Sequence, residues 1–310
     1  VIAVRSLRIG FLSTLYHTSH IIREEGWLEQ GLGVRARWSL FGTGPEMVAA
    51  FSRGELDLGY LGLPPAVIGI ARGAPLVCIA GGHVEGTVVL ARDGYAGIEE
   101  RGTVASVVEG FEGSRVGIPA AGSIHDVIFR DLVMRYRTPG IRIINYAWAD
   151  LIPHAAGKAE IDLAVGTPAL AVLCVRECGM RVVLPARTLW PFNPSYGILA
   201  QRRLLEEASL LEGFLVLHEK ACNLFREDPE GAARIVVQAL PWLEGGFVLE
   251  VLRVSPRYCA SLPEAYREST LKFLPVLEKL GYLDPARRIE TERIFDTRFI
   301  SNVHPDSHHY

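Results

Sequence analysis

The alternation of apolar and polar positions is clearest over residues 54–70, GELDLGYLGLPPAVIGI. Leu56, Leu58 and Tyr60 alternate with Asp57 and Gly59, a period of two that predicts a short buried strand. Pro64 and Pro65 cannot sit inside a helix but suit its first turn, where a missing N–H leaves nothing unsatisfied. Ala66, Val67, Ile68 and Ile70 then predict an apolar helix. The pattern returns at residues 159–171, AEIDLAVGTPALA, one residue shorter at the turn. Upstream, RIGFLS at residues 8–13 matches RVGIPA at residues 115–120. Two anchors repeated at a near-constant offset predict two similar units of roughly 100 residues each.

The rest of the chain fills in the same way. Short apolar strands are expected near residues 8–12, 34–41, 75–80, 87–91, 115–119, 141–146, 181–184 and 198–200. Ser19 is placed to cap a helix running to about residue 27. Thr43 or Gly44 caps the next, with Pro45 as its first residue. Ser123 caps one reaching about residue 136, and Asp150 a short one. Residues 92–113 are polar and glycine-rich and read as a connection. Residues 190–197, WPFNPSYG, read as a rigid aromatic segment. From about 204 to 283 the periodicity is helical, with a further strand expected at 251–255. The last residues, carrying His304, His308 and His309, are expected to fray. Strands alternating with helices predict an α/β fold of two lobes with mostly parallel sheets covered on both faces. Lobe one is expected over 1–90 plus 198–310 and lobe two over 91–197.

Composition narrows the function. The 310 residues are 49% apolar and 22% charged, with 31 Gly and 18 Pro, an ordered protein with many loops. The net charge of −3 and the lack of a basic cluster with interleaved aromatics argue against a nucleic-acid partner. No run reaches the ~18 apolar residues of a membrane span. The first residue, Val1, is not methionine and no leader is visible, so a preceding segment is expected to have been removed. The five cysteines form no disulfide framework and read as small buried hydrophobes, Cys174 and Cys178 at helical spacing included. Free thiols lean mildly away from an oxidising compartment.

In such folds ligands gather outside the carboxyl ends of the strands, where helix N-termini offer free N–H groups. The loops at 13–17, 42–44, 61–64, 83–86, 121–125 and 166–168 are those ends. They nominate Ser13, Tyr16, His17, Thr43, Gly44, Gly62, Pro64, His83, Glu85, Gly122, Ser123, His125 and Thr167 as ligand-binding, joined by Asn193 and Tyr196 from the rigid segment. No cofactor and no metal are expected. His17, His20, His83 and His125 could offer imidazoles to a transition metal, but they show no His-x-x-x-His spacing. Asp57 and Asp162 are read as making local hydrogen bonds. No nucleophile elbow and no His-Glu-x-x-His motif is present, so no catalytic residue is assigned.

Placed on these loops, the sequence resembles the substrate-binding proteins of ABC importers in the nitrate, sulfonate, taurine and thiamine-precursor group. The carriers are RIGFLSTLYHTSH, GTGPEMVAAFSRGELDLGYLGLPPAVIGIARGAPL, GTVVLAR, VGIPAAGSIHD and GKAEIDLAVGTPALAV, within residues 7–200. The resemblance implies a periplasmic-binding-protein type II fold whose lobes, joined by two crossings, close on a solute in the cleft. It also implies ABC permease subunits as partners and a periplasmic or extracellular place, with a lipid anchor or the permease as the link to a membrane. Relatives that bind sulfonates or nitrate usually show a basic residue or several polar side chains at the cleft. Here the cleft loops hold histidines and tyrosines and few Lys or Arg. A neutral or aromatic-ring ligand, such as a pyrimidine-like vitamin precursor, therefore fits at least as well as an inorganic anion. The alternative is a cytosolic cofactor-biosynthesis enzyme of menaquinone-pathway or thiamine-pyrimidine type on the same scaffold. The cysteine-rich motif of the thiamine-pyrimidine type is missing.

Overall fold

The computed structural model describes residues 6–286 and 289–310. The expected first lobe therefore begins with five residues, 1–5, that lie outside the described ones, as do 287 and 288 within its C-terminal part.

Among the described residues ten strands form: β1 Ser6–Leu12, β2 Arg35–Phe41, β3 Leu58–Leu61, β4 Leu76–Val84, β5 Val88–Arg92, β6 Arg115–Pro119, β7 Arg142–Tyr146, β8 Leu163–Gly166, β9 Met180–Leu184 and β10 Pro194–Gln201. They make two five-stranded sheets, ordered β2-β1-β3-β10-β4 and β7-β6-β8-β5-β9. The orders correspond position by position, as the repeat predicts. In the first sheet β1 runs parallel to β2 and β3, while β10 runs antiparallel to β3 and β4. In the second, β6 is parallel to β7 and β8, and β5 is antiparallel to β8 and β9. Both sheets are thus mixed, because the two crossing strands, β5 and β10, enter equivalent slots from the other half. The chain changes sheet between Val84 and Val88 and again between Leu184 and Pro194. The expected division points at 90 and 197 fall inside β5 and β10. Pro194, lacking an N–H, is tolerated as the first residue of its strand.

One interaction is built twice. Asp57, just before β3, accepts the Arg8 backbone N–H at 2.9 Å and the Arg8 Nε and Nη2 at 3.0 and 2.9 Å. Its own N–H returns to the Arg8 carbonyl at 2.8 Å. Asp162 repeats this with Arg115: backbone N–H at 2.8 Å, Nε at 3.0 Å, Nη2 at 2.7 Å, and the return bond at 2.8 Å. The aspartates are strand clamps in an ion pair rather than local turn or helix caps. They sit where parallel strands start, and an arginine fork from the neighbouring strand fits a carboxylate there.

The helix starts follow their capping residues. Thr43 accepts the Glu46 N–H, Ser123 the Asp126 N–H and Thr167 the Leu170 N–H. Leu63–Ala71 opens with prolines in its first turn. Further expectations change. Asp150 lies inside the 3₁₀ turn Ala149–Leu151 and caps neither it nor the helix Ile152–Gly157. The helix after Ser19 is two, Ser19–Glu24 and Trp27–Leu32, broken by Gly26 at φ +62°. Ser19 does not cap the first; Thr18 precedes it without a side-chain cap. The connection at 92–113 contains two short helices, Ile98–Arg101 and Val104–Glu109, the latter capped by Thr103. Residues 251–255 are not a strand: Gly245–Val254 is a helix burying Val248, Val251 and Leu252, a spacing of three and four. The chain end is anchored at Tyr310 rather than frayed, although residues 305–309 are exposed. The Tyr310 hydroxyl lies 2.5 Å from the Cys259 carbonyl and accepts the Gly82 N–H at 3.2 Å.

Both aspartates are held below the usual carboxylate value. At Asp57 burial is the largest single effect and opposes this, but the bonds and charge of Arg8, with the charge of Arg203, together outweigh it. At Asp162 the Arg115 hydrogen bonds lead. A depressed carboxylate contributes stability that is complete above its unfolded pKa, about 4, and is lost as pH falls through the folded value. Asp57→Asn should therefore destabilise the fold by about 2–3 kcal/mol at pH 7 and by less at pH 3. Asp162→Asn, at the more exposed clamp, should show a smaller effect with the same sign. Urea denaturation at both pH values measures this; equal losses at both would contradict the ionic clamp.

Candidate functional site

The carboxyl ends of β1, β3, β6 and β8 face one another, and the loops leaving them meet. Nine of the nominated residues line one cleft: Ser13, Tyr16, His17, Thr43, Gly44, Gly62, Ser123, His125 and Thr167. They come from both sheets. Three contacts bring the halves together around it. The Ser13 Oγ donates to Asp150 Oδ2 at 3.1 Å. A Cβ placed on Gly42 would lie 2.8 Å from the Ala147 carbonyl and 2.9 Å from the Trp148 ring. One on Gly62 would lie 3.2 Å from Ile124 Cγ2. Glycine at both positions lets the backbones approach this closely, and the cleft itself encloses only about 60 Å³.

A larger cavity of about 510 Å³ adjoins it, sharing Ser13, Thr14, Ala149 and Thr167. Its walls are mostly apolar, with Phe11, Trp148, Leu170, Leu240 and Phe247 among them. Two of these, Leu240 and Phe247, flank the turn between helices Pro229–Ala239 and Gly245–Val254. The latter helix leans on Pro168–Glu177 of the other half, where Arg176 pairs with Glu250 at 2.5 Å and covers the Phe247 ring at 5.6 Å. Besides Ser13, Thr14, Asp150 and Thr167, two further polar side chains stand on this wall. His20 is buried, and neither ring nitrogen completes a hydrogen bond, although the nearby Thr14 backbone favours its charged form. Arg23 is half-buried, lies 4.8 Å over the Phe11 ring, and has no carboxylate at ion-pair distance among the described residues. His20 and Arg23 are three apart on one helix face.

Six nominated residues are not on the cleft wall. Pro64 is buried in its helix and Pro65 takes the wall position, since the helix turns about 100° per residue. His83 lies behind Tyr16, their rings 4.4 Å apart, and bonds the Ser255 carbonyl through Nε2 at 2.6 Å. Glu85, at φ +60°, ties the two crossings: its N–H reaches the Asn193 carbonyl at 2.8 Å. Its Oε1 accepts from Phe192 N–H at 2.8 Å and from Arg257 at 2.6 Å. Gly122, at φ +79°, spends its N–H on Asp126 at 3.0 Å. Asn193 is buried and donates to the Trp190 carbonyl at 3.0 Å. Tyr196 is buried with its ring 4.2 Å from that of His17, which it backs. The nominations missed Ser195, whose hydroxyl lies 2.9 Å from the Tyr16 hydroxyl, and Ala149. Ser195 stood between two nominated residues; Ala149 offered no chemical signal. His20 and Arg23 could have been found by their helical spacing.

The aromatic layer behind the cleft is electrically neutral. His218 Nε2 faces the Gly81 carbonyl at 2.8 Å, which can only accept, so that nitrogen carries the proton and Nδ1 accepts from the Thr18 hydroxyl at 2.7 Å. His125 Nδ1 pairs with the Thr87 hydroxyl at 2.9 Å. Burial pushes His20, His83, His125 and His218 down to about 4, and His17 well below its ordinary value. His17, His20, His83 and His125 do not cluster as metal ligands. Among the described residues, a group that could hold an ion lies elsewhere, at Glu219, Cys259 and His304.

Two sheets of corresponding strand order, exchanging one strand each and facing across a cleft, define a periplasmic-binding-protein-like architecture. The chain belongs to the NMT1-like family, whose model matches residues 2–240. Solved structures agree. The alkanesulfonate-binding protein SsuA from Xanthomonas axonopodis pv. citri, bound to MOPS, superposes with TM-score 0.75 at 17% identity, over 92% of this chain and 96% of that one. A ligand-binding component of an ABC-type import system from Staphylococcus aureus, with zinc bound, gives 0.79 at 12%, over 97% and 100%. The periplasmic nitrate-binding protein NrtA from Synechocystis PCC 6803 gives 0.77 at 12%, over 97% and 88%. These neighbours are substrate-binding proteins rather than enzymes, and at these identities the likeness establishes the fold. No curated protein matches significantly in sequence. Among the described residues, no helix is long and apolar enough to cross a membrane.

The neutral histidines set a pH dependence. An unfolded histidine titrates near 6.5, so between that value and about 4 the unfolded chain binds protons that the folded one refuses. Stability should be complete above about pH 7 and fall as pH drops, approaching ~1.4 kcal/mol per pH unit for each such histidine. Chemical denaturation from pH 7.5 to 4.5 measures the slope, and His125→Gln should lower it by about one proton. A flat profile would mean that these rings charge in place.

Proposed function

We propose that this protein binds a small organic solute between its two sheets and delivers it to an ABC-type permease, on the periplasmic or extracellular side of a membrane. The observation that carries the reading is the convergence of nine polar or small residues from both halves on one cleft, continuous with the apolar 510 Å³ cavity. The cleft alone is too small for an organic molecule, whereas ligand sites of about 300–1,000 Å³ are usual. The solute's body would occupy the apolar cavity and its polar end would face Ser13, Thr167, His20 or Arg23. A lone inorganic anion would leave those apolar walls unused. Arg23 adds a cation that the loop residues by themselves lacked and would suit an acidic end, while Asp150 sets a carboxylate on the same wall.

In this reading the halves act as lobes, residues 6–84 with 194–310 and residues 88–184, moving about the two crossings. The present contacts at Gly42, Gly62 and Ser13 would be those of a closed state, and solute would enter when they part. Delivery would follow from a permease recognising the closed form. The similar alkanesulfonate-binding and nitrate-binding proteins and the ligand-binding component of an ABC-type import system support this class of activity.

The test begins with mass spectrometry of molecules released from denatured protein, then calorimetry with the compound found. Ser123→Ala should weaken binding by about 1 kcal/mol, near the net worth of one hydrogen bond. His83→Ala should lower the melting temperature while disturbing affinity less, since Tyr16 stands between it and the cleft. Wild-type affinity in Ser123→Ala together with lost affinity in His83→Ala would move the site behind Tyr16.

A further inference from the structure

A second cluster of ligating side chains lies away from both cavities. Glu219 comes from the helix Ala208–Glu227, Cys259 from the segment after Gly245–Val254, and His304 from the end of Arg298–Val303. One ligand atom from each falls within 4.8 Å of the others. We infer that Glu219, Cys259 and His304 form a binding site for a zinc-class transition-metal ion, which staples the C-terminal segment to the Ala208–Glu227 helix.

The geometry fits. Cys259 Sγ lies 3.9 Å from His304 Nε2. An ion about 2.3 Å from sulfur and about 2.1 Å from nitrogen, in tetrahedral angles, holds the two roughly 3.6 Å apart. Closing the difference takes a small side-chain movement. His304 Nδ1 lies 2.9 Å from Glu219 Oε1, the arrangement in which a carboxylate orients a metal-bound imidazole. The remaining oxygen, Glu219 Oε2, is buried and has no hydrogen-bond partner. A buried carboxylate oxygen without a donor is itself a demand for positive charge. The donors are also shielded: Cys259 is fully buried, and the His304 and Glu219 side chains are 6% and 13% exposed.

The positions are fixed by the fold. Cys259 N–H bonds the Gly82 carbonyl at 3.2 Å and the Ala260 carbonyl accepts the Gly81 N–H at 2.8 Å, so this segment is docked on β4. The His309 N–H points at Cys259 Sγ from 3.4 Å, and its ring centre is 5.0 Å from that of His304. Three features oppose the ion. Burial pushes the Cys259 thiol up. His304 Nε2 faces the Ser307 carbonyl at 3.2 Å, a contact the ion would replace, and Arg226 brings a nearby positive charge, paired with Glu227 at 2.8 Å. Thiolate, imidazole and carboxylate together select zinc or its neighbours over magnesium and calcium.

Chelator-treated protein titrated with Zn²⁺ and, separately, Co²⁺ tests this. One ion per chain should bind, Zn²⁺ should raise the melting temperature, and Co²⁺ should give a thiolate-to-cobalt charge-transfer band. Cys259→Ser should abolish the band, while Cys222→Ser should keep it. Glu219→Gln should weaken Zn²⁺ binding roughly 10- to 100-fold, as loss of an orienting carboxylate does. If Cys259→Ser fails to fold, His304→Gln, near the chain end, takes its place and should remove the thermal shift. No stoichiometric binding by the wild type, or a band and thermal shift that survive Cys259→Ser or His304→Gln, would overturn the proposal.

Discussion

Each half of the molecule depends on an arginine on one strand gripping an aspartate at the start of the next-but-one strand. Arg8–Asp57 and Arg115–Asp162 join backbone to side chain and side chain to side chain, so they lock the relative position of two parallel strands as well as their pairing. Parallel strands exchange slanted, evenly spaced bonds and have no tight hairpin to set their register. A clamp at their amino ends supplies it. With that end fixed, the carboxyl ends of β1 and β3, and of β6 and β8, finish level. The loops leaving them then meet on one line. The aspartates also extend the grip sideways: the Asp57 carbonyl receives the Gln201 N–H at 2.8 Å, and the Asp162 carbonyl the Arg92 N–H at 3.1 Å. The clamps therefore also fasten the two crossing strands, through which the halves are connected.

The crossings form a second constraint. Glu85 holds a strained backbone and ties the outgoing segment to the returning one through Asn193, Phe192 and Arg257. Gly86 is pressed so closely that a Cβ would lie 2.1 Å from Ser195 Oγ and 2.6 Å from the Tyr16 hydroxyl. Behind these sit the neutral rings of His17, His83, His218 and their tyrosine neighbours. This layer is costly to charge, and it backs the cleft with a surface whose shape depends on hydrogen bonds of defined direction. The residues nominated as ligand contacts at 83, 85, 193 and 196 belong to this support.

Much of the candidate site was legible because helix starts and strand ends announce themselves. Thr43, Ser123 and Thr167 cap helices, and Gly44 and Gly62 stand at turns where a side chain would be crowded. These signals are local, and the cleft is made where such local features face one another. What could not be read was depth. Whether a loop histidine faces a cavity or the layer beneath depends on strand β10, which lies between β3 and β4 and presses Tyr196 against His17. The apolar cavity was invisible for a related reason. Its walls come from residues 11–23, Leu40, 148–173 and 239–247, and the helix supplying the last of these was expected to include a strand.

The sequence alone determined the doubled α/β plan, the strand–turn–helix units, their caps, and the family resemblance, because each rests on residues close together in the chain. Periodicity and turn chemistry are short-range properties, and a repeat copies them intact. The tertiary structure decided which strand joined which sheet and that Asp57 and Asp162 pair with arginines 49 and 47 residues away. It also decided that His20 and Arg23 look into a cavity closed by a hairpin more than 200 residues later. It brought Glu219, Cys259 and His304 to one point as well. Those are consequences of packing two sheets and a helical layer together, where neighbours are chosen by burial and complementary charge rather than by sequence distance.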